Sequence, residues 1–317
     1  MHLGNYVGAI RRWVRTQASS DAYYMVADLH ALTLPYDPAT LPTRTRETAA
    51  ALIACGLDPE SVTLFVQSHV PEHTALCWLL TATARVGDLR RMTHFKEKAP
   101  GEQEGANAAL FIYPVLQAAD ILLYQAHEVP VGEDQRQHLE MVSDLARRFN
   151  NAFGEIFVVP QGTMPPAGAR VMDLQQPTAK MSKSAGRELG TILLSDSDDA
   201  IRAKISRAVT DSGAEVAINA AKPGITNLIR IYAALADMSE TAVVDEFATA
   251  PYSDLKDAVA TRVCETLGPM RTRYAALLNE GERLDEILLR GAERARDVAA
   301  VTLAEARSAM GLGPCSR

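Results

Sequence analysis

Four short apolar runs alternate with stretches of helical spacing over the first half of the chain, and this alternation limits the fold more than any other feature. Ala22 to Ala27 has the length and apolar content of a buried strand, and Thr63 to Gln67, Glu128 to Gly132 and Ile156 to Val159 read as further strands. Thr43 to Cys55 carries helical spacing and is stopped by Gly56-Leu57-Asp58-Pro59, a glycine cap followed by a proline. Ala75 to Val86 and Glu133 to Asn150 read as further helices. Strands separated by helices predict a parallel, doubly wound sheet of the α/β class. From Ala200 onward only helical periodicity is found, broken by turn signals at Thr210 to Gly213, Lys222 to Gly224 and Ala250 to Ser253, so a second, all-helical domain is expected. With 317 residues, 47% hydrophobic and 22% charged, the chain is long enough for two domains with packed cores.

The chemistry concentrates in Lys180-Met181-Ser182-Lys183-Ser184, where two cations and two hydroxyls share five residues. Ammonium groups, hydroxyls and backbone N–H groups on one loop suit a polyphosphate. A generic Lys/Ser cluster is more often a solvated turn, but a fully specified run of five arises by chance in about one chain of this length in ten thousand. At the other end, His2-Leu3-Gly4-Asn5 runs straight into an amphipathic helix through Ile10, Trp13 and Val14. Asn5 stands where that helix begins and Gly4 removes a side chain ahead of it, so N–H groups would face a bound phosphate. The plainer reading is an ordinary asparagine cap. Arg90 to Lys98 is the densest positive stretch of the first half. Most of it reads as a solvated face, with Lys98 bordering a glycine-containing loop from which it could reach phosphate.

A second constellation lies in Tyr113 to Tyr124. With Pro114 taken as part of a first helical turn, Tyr113, Gln117, Asp120 and Tyr124 fall at i, i+4, i+7 and i+11, one face of a helix. The rest of that stretch is apolar. A carboxylate there needs either a protein donor or a ligand N–H, and a satisfied structural aspartate is the default. His30 follows the first strand, where capping or surface roles outweigh ligand contact. Gly132 allows a planar ligand close to the backbone, and Asp134 reads as a helix cap.

Composition excludes several classes. Cys55, Cys77, Cys264 and Cys315 are far apart, which argues against a zinc site or a disulfide framework. The longest apolar run, Phe111 to Leu123, is too short to span a bilayer, so a cytoplasmic protein with no membrane partner is expected. A net charge of −7 gives no global attraction to nucleic acid, but screening over roughly 8 Å leaves room for a local basic face. The arginines of the last third, Arg271 to Arg296, are mixed with acids and read as a mixed surface compatible with RNA contact.

Taken together, His2 to Tyr6, Phe95 to Lys98, Tyr113 to Tyr124, Val131 to Gln135, the Lys180 loop, Ala208 to Ser212, Lys222 to Leu228 and Ala309 to Gly313 resemble the bacterial tryptophanyl-tRNA synthetases, a branch of the class I aminoacyl-tRNA synthetases. The resemblance covers nearly the whole chain. It implies a Rossmann-type ATP and amino-acid-binding catalytic domain over residues 1–174 with the C-terminal helix 286–317 packing back on it. Residues 175–285 would carry the Lys180 loop and a helical tRNA anticodon-binding domain. The implied activity is that of a ligase that makes tryptophanyl-adenylate from L-tryptophan and ATP, releases pyrophosphate, and acylates the 3′ end of tRNA(Trp).

In the same reading His2, Asn5, Lys98, Lys180, Ser182 and Lys183 carry catalysis. Gly4, Asn5, Gly132, Asp134, Val171, Lys180, Met181, Ser182, Lys183 and Ser184 would bind ATP. Asp120 would accept the indole N–H, with His30, Tyr113, Gln117 and Gln135 around the amino acid. Mg²⁺ would come with ATP, no protein metal site or zinc is implied, and the family is homodimeric. Gln117 stands where many relatives carry methionine, and Tyr-x-x-x-Gln-x-x-Asp also resembles the sister tyrosyl enzymes, so a tyrosine–tRNA ligase is the alternative. About a dozen residues that normally precede His2 as a central strand are not in this sequence, so a start further upstream is expected. A truncated, impaired paralogue with a binding role is the other possibility.

Overall fold

The computed structural model describes residues 1–92, 107–132, 135–163, 170–182 and 186–313. Two short strands open the sheet structure: β1, Tyr23–Val26, and β2, Thr63–Val66, pair in parallel with Tyr23 opposite Thr63 and Val26 opposite Val66. A second parallel pair joins β3, Glu128–Pro130, to β4, Gln161–Thr163. Among the described residues the two pairs share no ladder, and Tyr23 and Met25 of β1 line the same cavity as Val129 of β3. The strand expected at Ile156 to Val159 is not formed. There Asn150 Oδ1 accepts the N–H groups of Ile156 (3.1 Å) and Phe157 (2.9 Å), and Gln125 Oε1 accepts that of Val158 (2.8 Å). Side chains have taken the donors a ladder would use, and pairing resumes only at Gln161.

The helix carrying the second constellation runs Ala108–Leu122, so Pro114 sits in its interior and not in its first turn. Its start is set by Asn107, whose side chain accepts the Leu110 N–H at 2.9 Å. The apolar Ala108 to Ile112 gave no boundary signal, and the missing proline N–H is tolerated because the surrounding packing holds the helix.

Contacts divide the chain into two compact units. One comprises Met1–Ser20, Glu47–Ser61 and Pro166–Leu284; the other comprises Asp21–Arg46, Val62–Pro165 and Asp285–Arg317. In the second, the core gathers Phe65, Leu76, Leu80, Val115, Leu122, Leu145 and Phe149 against Ala292, Ala295 and Ala299 of the long helix Gly281–Ala309. That helix lies so close to β2 that a Cβ on Gly291 would enter the Leu64 carbonyl. Arg294 donates to the Val62 carbonyl (3.1 Å) and Thr302 to the Leu123 carbonyl (2.9 Å).

The first unit holds the N-terminal helical segment, which passes from α-helix (Leu3–Asn5) through a π-helical stretch (Tyr6–Ile10) to α-helix (Arg11–Thr16). It also holds the helices Asp198–Ser206, Pro223–Ala236 and Tyr252–Asn279. Arg271 donates to the Asp196 carbonyl and pairs with Asp198, so this arginine of the basic last third is spent on the fold.

Gly56 ends the helix Leu41–Ala54 at φ +111°, and Leu57 N–H reaches back to the Leu52 carbonyl (3.2 Å). A Cβ there would also stand 3.0 Å from Val14 Cγ1. Gly56→Ala is expected to lower stability by about 1–3 kcal/mol. An unchanged denaturant midpoint would refute that account of the turn.

Candidate active site

The unit containing β1 and β2 holds a cavity of about 470 Å³, inside the roughly 300–1,000 Å³ typical of small-molecule sites. Tyr23, Phe65, Tyr113 and Tyr124 give it aromatic walls, and His30, Gln117, Asp120, Gln135 and His138 give it polar ones. Helical spacing explains how Tyr113, Gln117 and Asp120 share this face.

Asp120, with its side chain 7% exposed, is the most demanding group present. Its Oδ1 accepts from Gln67 Nε2 (2.8 Å) and His73 Nδ1 (2.7 Å), and its Oδ2 accepts from His30 Nε2 (2.7 Å). Burial alone would push this carboxyl up, but the hydrogen bonds and charges of His30 and His73 bring it below the ordinary carboxylate value. Asp120 is therefore an anion, an acceptor inside an aromatic cavity. Tyr124 is pushed far above the usual phenol value by burial and then by the charge of Asp120, so its hydroxyl keeps its proton.

Second-layer bonds fix the donors. Gln67 Oε1 accepts the Leu29 N–H (3.1 Å), which ties β2's carboxyl end to the short helix Asp28–Ala31 that presents His30. Asn107 donates to the carbonyls of Leu32 (3.3 Å) and Thr33 (3.2 Å), holding the turn after His30. Tyr113 OH pairs with His138 Nε2 at 2.7 Å. Gly132 accepts the Gln135 N–H (2.9 Å), so these two predicted residues meet through the backbone.

In the other unit, the two phosphate-type motifs come together. Leu3 N–H donates to the Ile192 carbonyl (2.9 Å), His2 bridges Leu193, and a Cβ on Gly4 would lie 3.5 Å from Met181 Cβ. Asn5 Oδ1 accepts the His2 N–H at 3.1 Å. His2 is lowered to about 4, by burial first and also by the nearby charge of Lys180, so its imidazole is neutral near pH 7.

Lys180 is exposed, Met181 is buried, and Met181 N–H reaches the Val171 carbonyl (3.1 Å). The base of the loop is braced twice. Buried Asp173 accepts the N–H groups of Gln175 (2.8 Å) and Gln176 (3.0 Å) and the Arg187 Nε–H (3.0 Å). Asn227, 2% exposed, accepts from Met172 N–H and donates to Met172 C=O, both at 2.9 Å.

Thus His2, Gly4, Asn5, Val171, Lys180, Met181 and Ser182 fall in one unit and His30, Tyr113, Gln117, Asp120, Gly132 and Gln135 in the other. Lys98, Asp134, Lys183 and Ser184 lie outside the described residues. Sequence reasoning did not single out Gln67, His73, His138, Asp173 or Asn227. The usable signals were a glutamine at a strand's carboxyl end and a histidine opening an otherwise apolar helix face. Among the described residues no three His, Cys, Asp or Glu side chains gather to hold a metal ion, and no helix is long and apolar enough to cross a membrane.

The profile of the family described as "tRNA synthetases class I (W and Y)" matches residues 1–268. The chain belongs to this family. Tryptophan–tRNA ligase 2 of Streptomyces avermitilis is 49% identical over 315 residues, 99% of this chain and 94% of the relative. The crystal structure of tryptophanyl-tRNA synthetase from Mycoplasma pneumoniae superposes with a TM-score of 0.88 at 34% identity, covering 99% of this chain and 94% of that one. The Campylobacter jejuni enzyme, solved as a complex with ADP and tryptophan, gives a TM-score of 0.84 at 34% identity over 98% of this chain and 96% of its own. The α/β class expected from strand and helix alternation, and the Rossmann-type fold implied by the resemblance, are those of these neighbours.

Asn227→Ala would take away the partner of the part-buried N–H and C=O of Met172, at a cost of about 1–3 kcal/mol in all. The expected result is a lower unfolding midpoint together with faster hydrogen exchange at Met172 and Met181. Unchanged exchange at both amides would show that Asn227 does not hold this segment.

Proposed function

We propose that this chain is a tryptophan–tRNA ligase, which activates L-tryptophan with ATP and transfers it to the 3′ end of tRNA(Trp). The observation that carries this reading is Asp120, an anionic acceptor within an aromatic cavity of about 470 Å³, in a chain 49% identical over nearly its full length to a tryptophan–tRNA ligase. Asp120 accepts the indole N–H, while His30, Tyr113, Gln117 and Gln135 surround the amino acid. Rejecting a ring without that N–H leaves a buried acceptor unpaired, a discrimination of about 10⁴ or more.

His2, Gly4, Asn5, Lys98, Lys180, Ser182, Lys183 and Ser184 hold the triphosphate, and Gly132, Asp134, Val171 and Met181 hold the adenosine. In the first step the tryptophan carboxylate oxygen bonds to the α-phosphorus as the bond to the β-phosphate oxygen breaks, giving tryptophanyl-adenylate and pyrophosphate. In the second a hydroxyl of the terminal ribose attacks the activated carbonyl and AMP leaves. Both are driven by positioning and charge stabilisation, so no nucleophilic side chain is required. Mg²⁺ held by the ATP phosphates would add to the neutralisation of their charge.

We assign residues 1–174 with 286–317 to catalysis and 175–285 to the Lys180 loop and anticodon binding. This functional division differs from the two compact units, one of which joins His2 and Asn5 to Lys180. A cytoplasmic homodimer, with each tRNA spanning both subunits, belongs to the same proposal.

Tryptophan-dependent ATP–pyrophosphate exchange tests it. Exchange with tryptophan and not with tyrosine is expected, and Lys180→Ala is expected to lower kcat by about 10²–10³. Exchange with tyrosine alone would make the chain a tyrosine enzyme, and silence with both would leave only a binding role.

A further inference from the structure

His73 is fully buried at the start of the helix Glu72–Thr83 and does not line the cavity, yet both its ring nitrogens are engaged on the cavity's behalf. Nδ1 meets Asp120 Oδ1 at 2.7 Å and Nε2 meets Tyr124 OH at 2.8 Å. Because an ionised carboxylate only accepts, Nδ1 carries the proton of that contact, and Nε2 shares the second hydrogen bond with the phenol hydroxyl. The phenol is itself immobilised: its ring stacks on Tyr23 at 4.6 Å and packs on Phe65 at 5.6 Å.

A carboxylate offers about four acceptor sites. Gln67 and His73 fill the two on Oδ1 and His30 fills one on Oδ2. One site remains, on Oδ2. We propose that His73, locked by Tyr124, is a positioning residue for amino-acid selectivity: with Gln67 it saturates Oδ1, so that Asp120 can offer a ligand N–H only the remaining lone pair of Oδ2. Without the His73 bond the carboxylate can turn about its Cβ–Cγ axis and pair with its own protein donors in more than one way. Selectivity for a ligand N–H then falls even though Asp120 is still present.

This inference rests on the reading of Asp120 as the N–H acceptor, and the experiment separates the two. The quantity read is the ratio of kcat/KM for tryptophan to that for 3-(benzothiophen-3-yl)alanine, in which sulfur replaces the indole N–H, in pyrophosphate exchange by the full chain. Asp120→Ala is expected to collapse the ratio. His73→Leu is expected to lower it about 5- to 30-fold, the size of one buried hydrogen bond. His73→Asn, whose amide can donate from near the Nδ1 position, is expected to restore most of it. Tyr124→Phe keeps the stacked ring, removes the hydroxyl and shifts the ratio in the same direction as His73→Leu, so it serves where the leucine variant does not fold.

An unchanged ratio in Asp120→Ala would remove the underlying reading. A collapsed ratio there, with His73→Leu and Tyr124→Phe slowing both amino acids equally, would overturn the positioning role alone and leave His73 as a structural histidine.

Discussion

A carboxylate taken out of water must be repaid in hydrogen bonds, and the arrangement of the unit that holds the aromatic cavity follows from how Asp120 is satisfied. Its three donors come from three different elements: His30 from the short helix Asp28–Ala31 after β1, Gln67 from just past the end of β2 and His73 from the helix Glu72–Thr83. Each donor is held in turn, His73 by Tyr124 and Gln67 by the Leu29 N–H. Displacing any of these elements would strand a buried charge, which costs far more than the loss of one contact. The carboxylate that would read the ligand is therefore also a rivet between β1, β2 and two helices.

The phosphate-type motifs are organised on a different principle. Lys180 is exposed, and the segment that carries it is anchored by neutral or fully paired groups beneath it: Asn227 on Met172, and Asp173 on two backbone amides and Arg187. A triphosphate needs mobile cations on a fixed base. The π-helical stretch Tyr6–Ile10, directly after Asn5, is the kind of local irregularity that proteins keep where a helix end has to serve a ligand.

Much of this was legible in the amino-acid sequence, and for identifiable reasons. The Lys180 loop, the His2 turn and the helix face of Tyr113, Gln117 and Asp120 are each local in sequence, so spacing alone could place them. Asp120 was flagged because an acidic residue amid apolar neighbours demands a partner. Its partners could not be named, since Gln67 and His73 lie 53 and 47 residues away and meet it only through the tertiary fold. The strand at Ile156 failed for a related reason: Asn150 and Gln125 take its amides, and no periodicity reports such capture. Pro114 misled because tertiary packing overrode a local preference that normally marks a helix start.

The chain passes between its two compact units after residues 20, 46, 61, 165 and 284. On a ribosome this order matters. The unit with the Lys180 loop lacks material until residue 284 is made, and the other lacks the helical face of Ala292, Ala295 and Ala299 until the helix Gly281–Ala309 follows. Until then β2, the Val62 carbonyl and the Leu123 carbonyl await Arg294 and Thr302, leaving the apolar surface around Phe65 without its cover. Domain-by-domain folding during synthesis, the usual protection of a long chain, is closed to a protein woven in this way. Neither unit is complete before the helix Gly281–Ala309 is under way, so that helix belongs to the assembly of both units as well as to the finished fold.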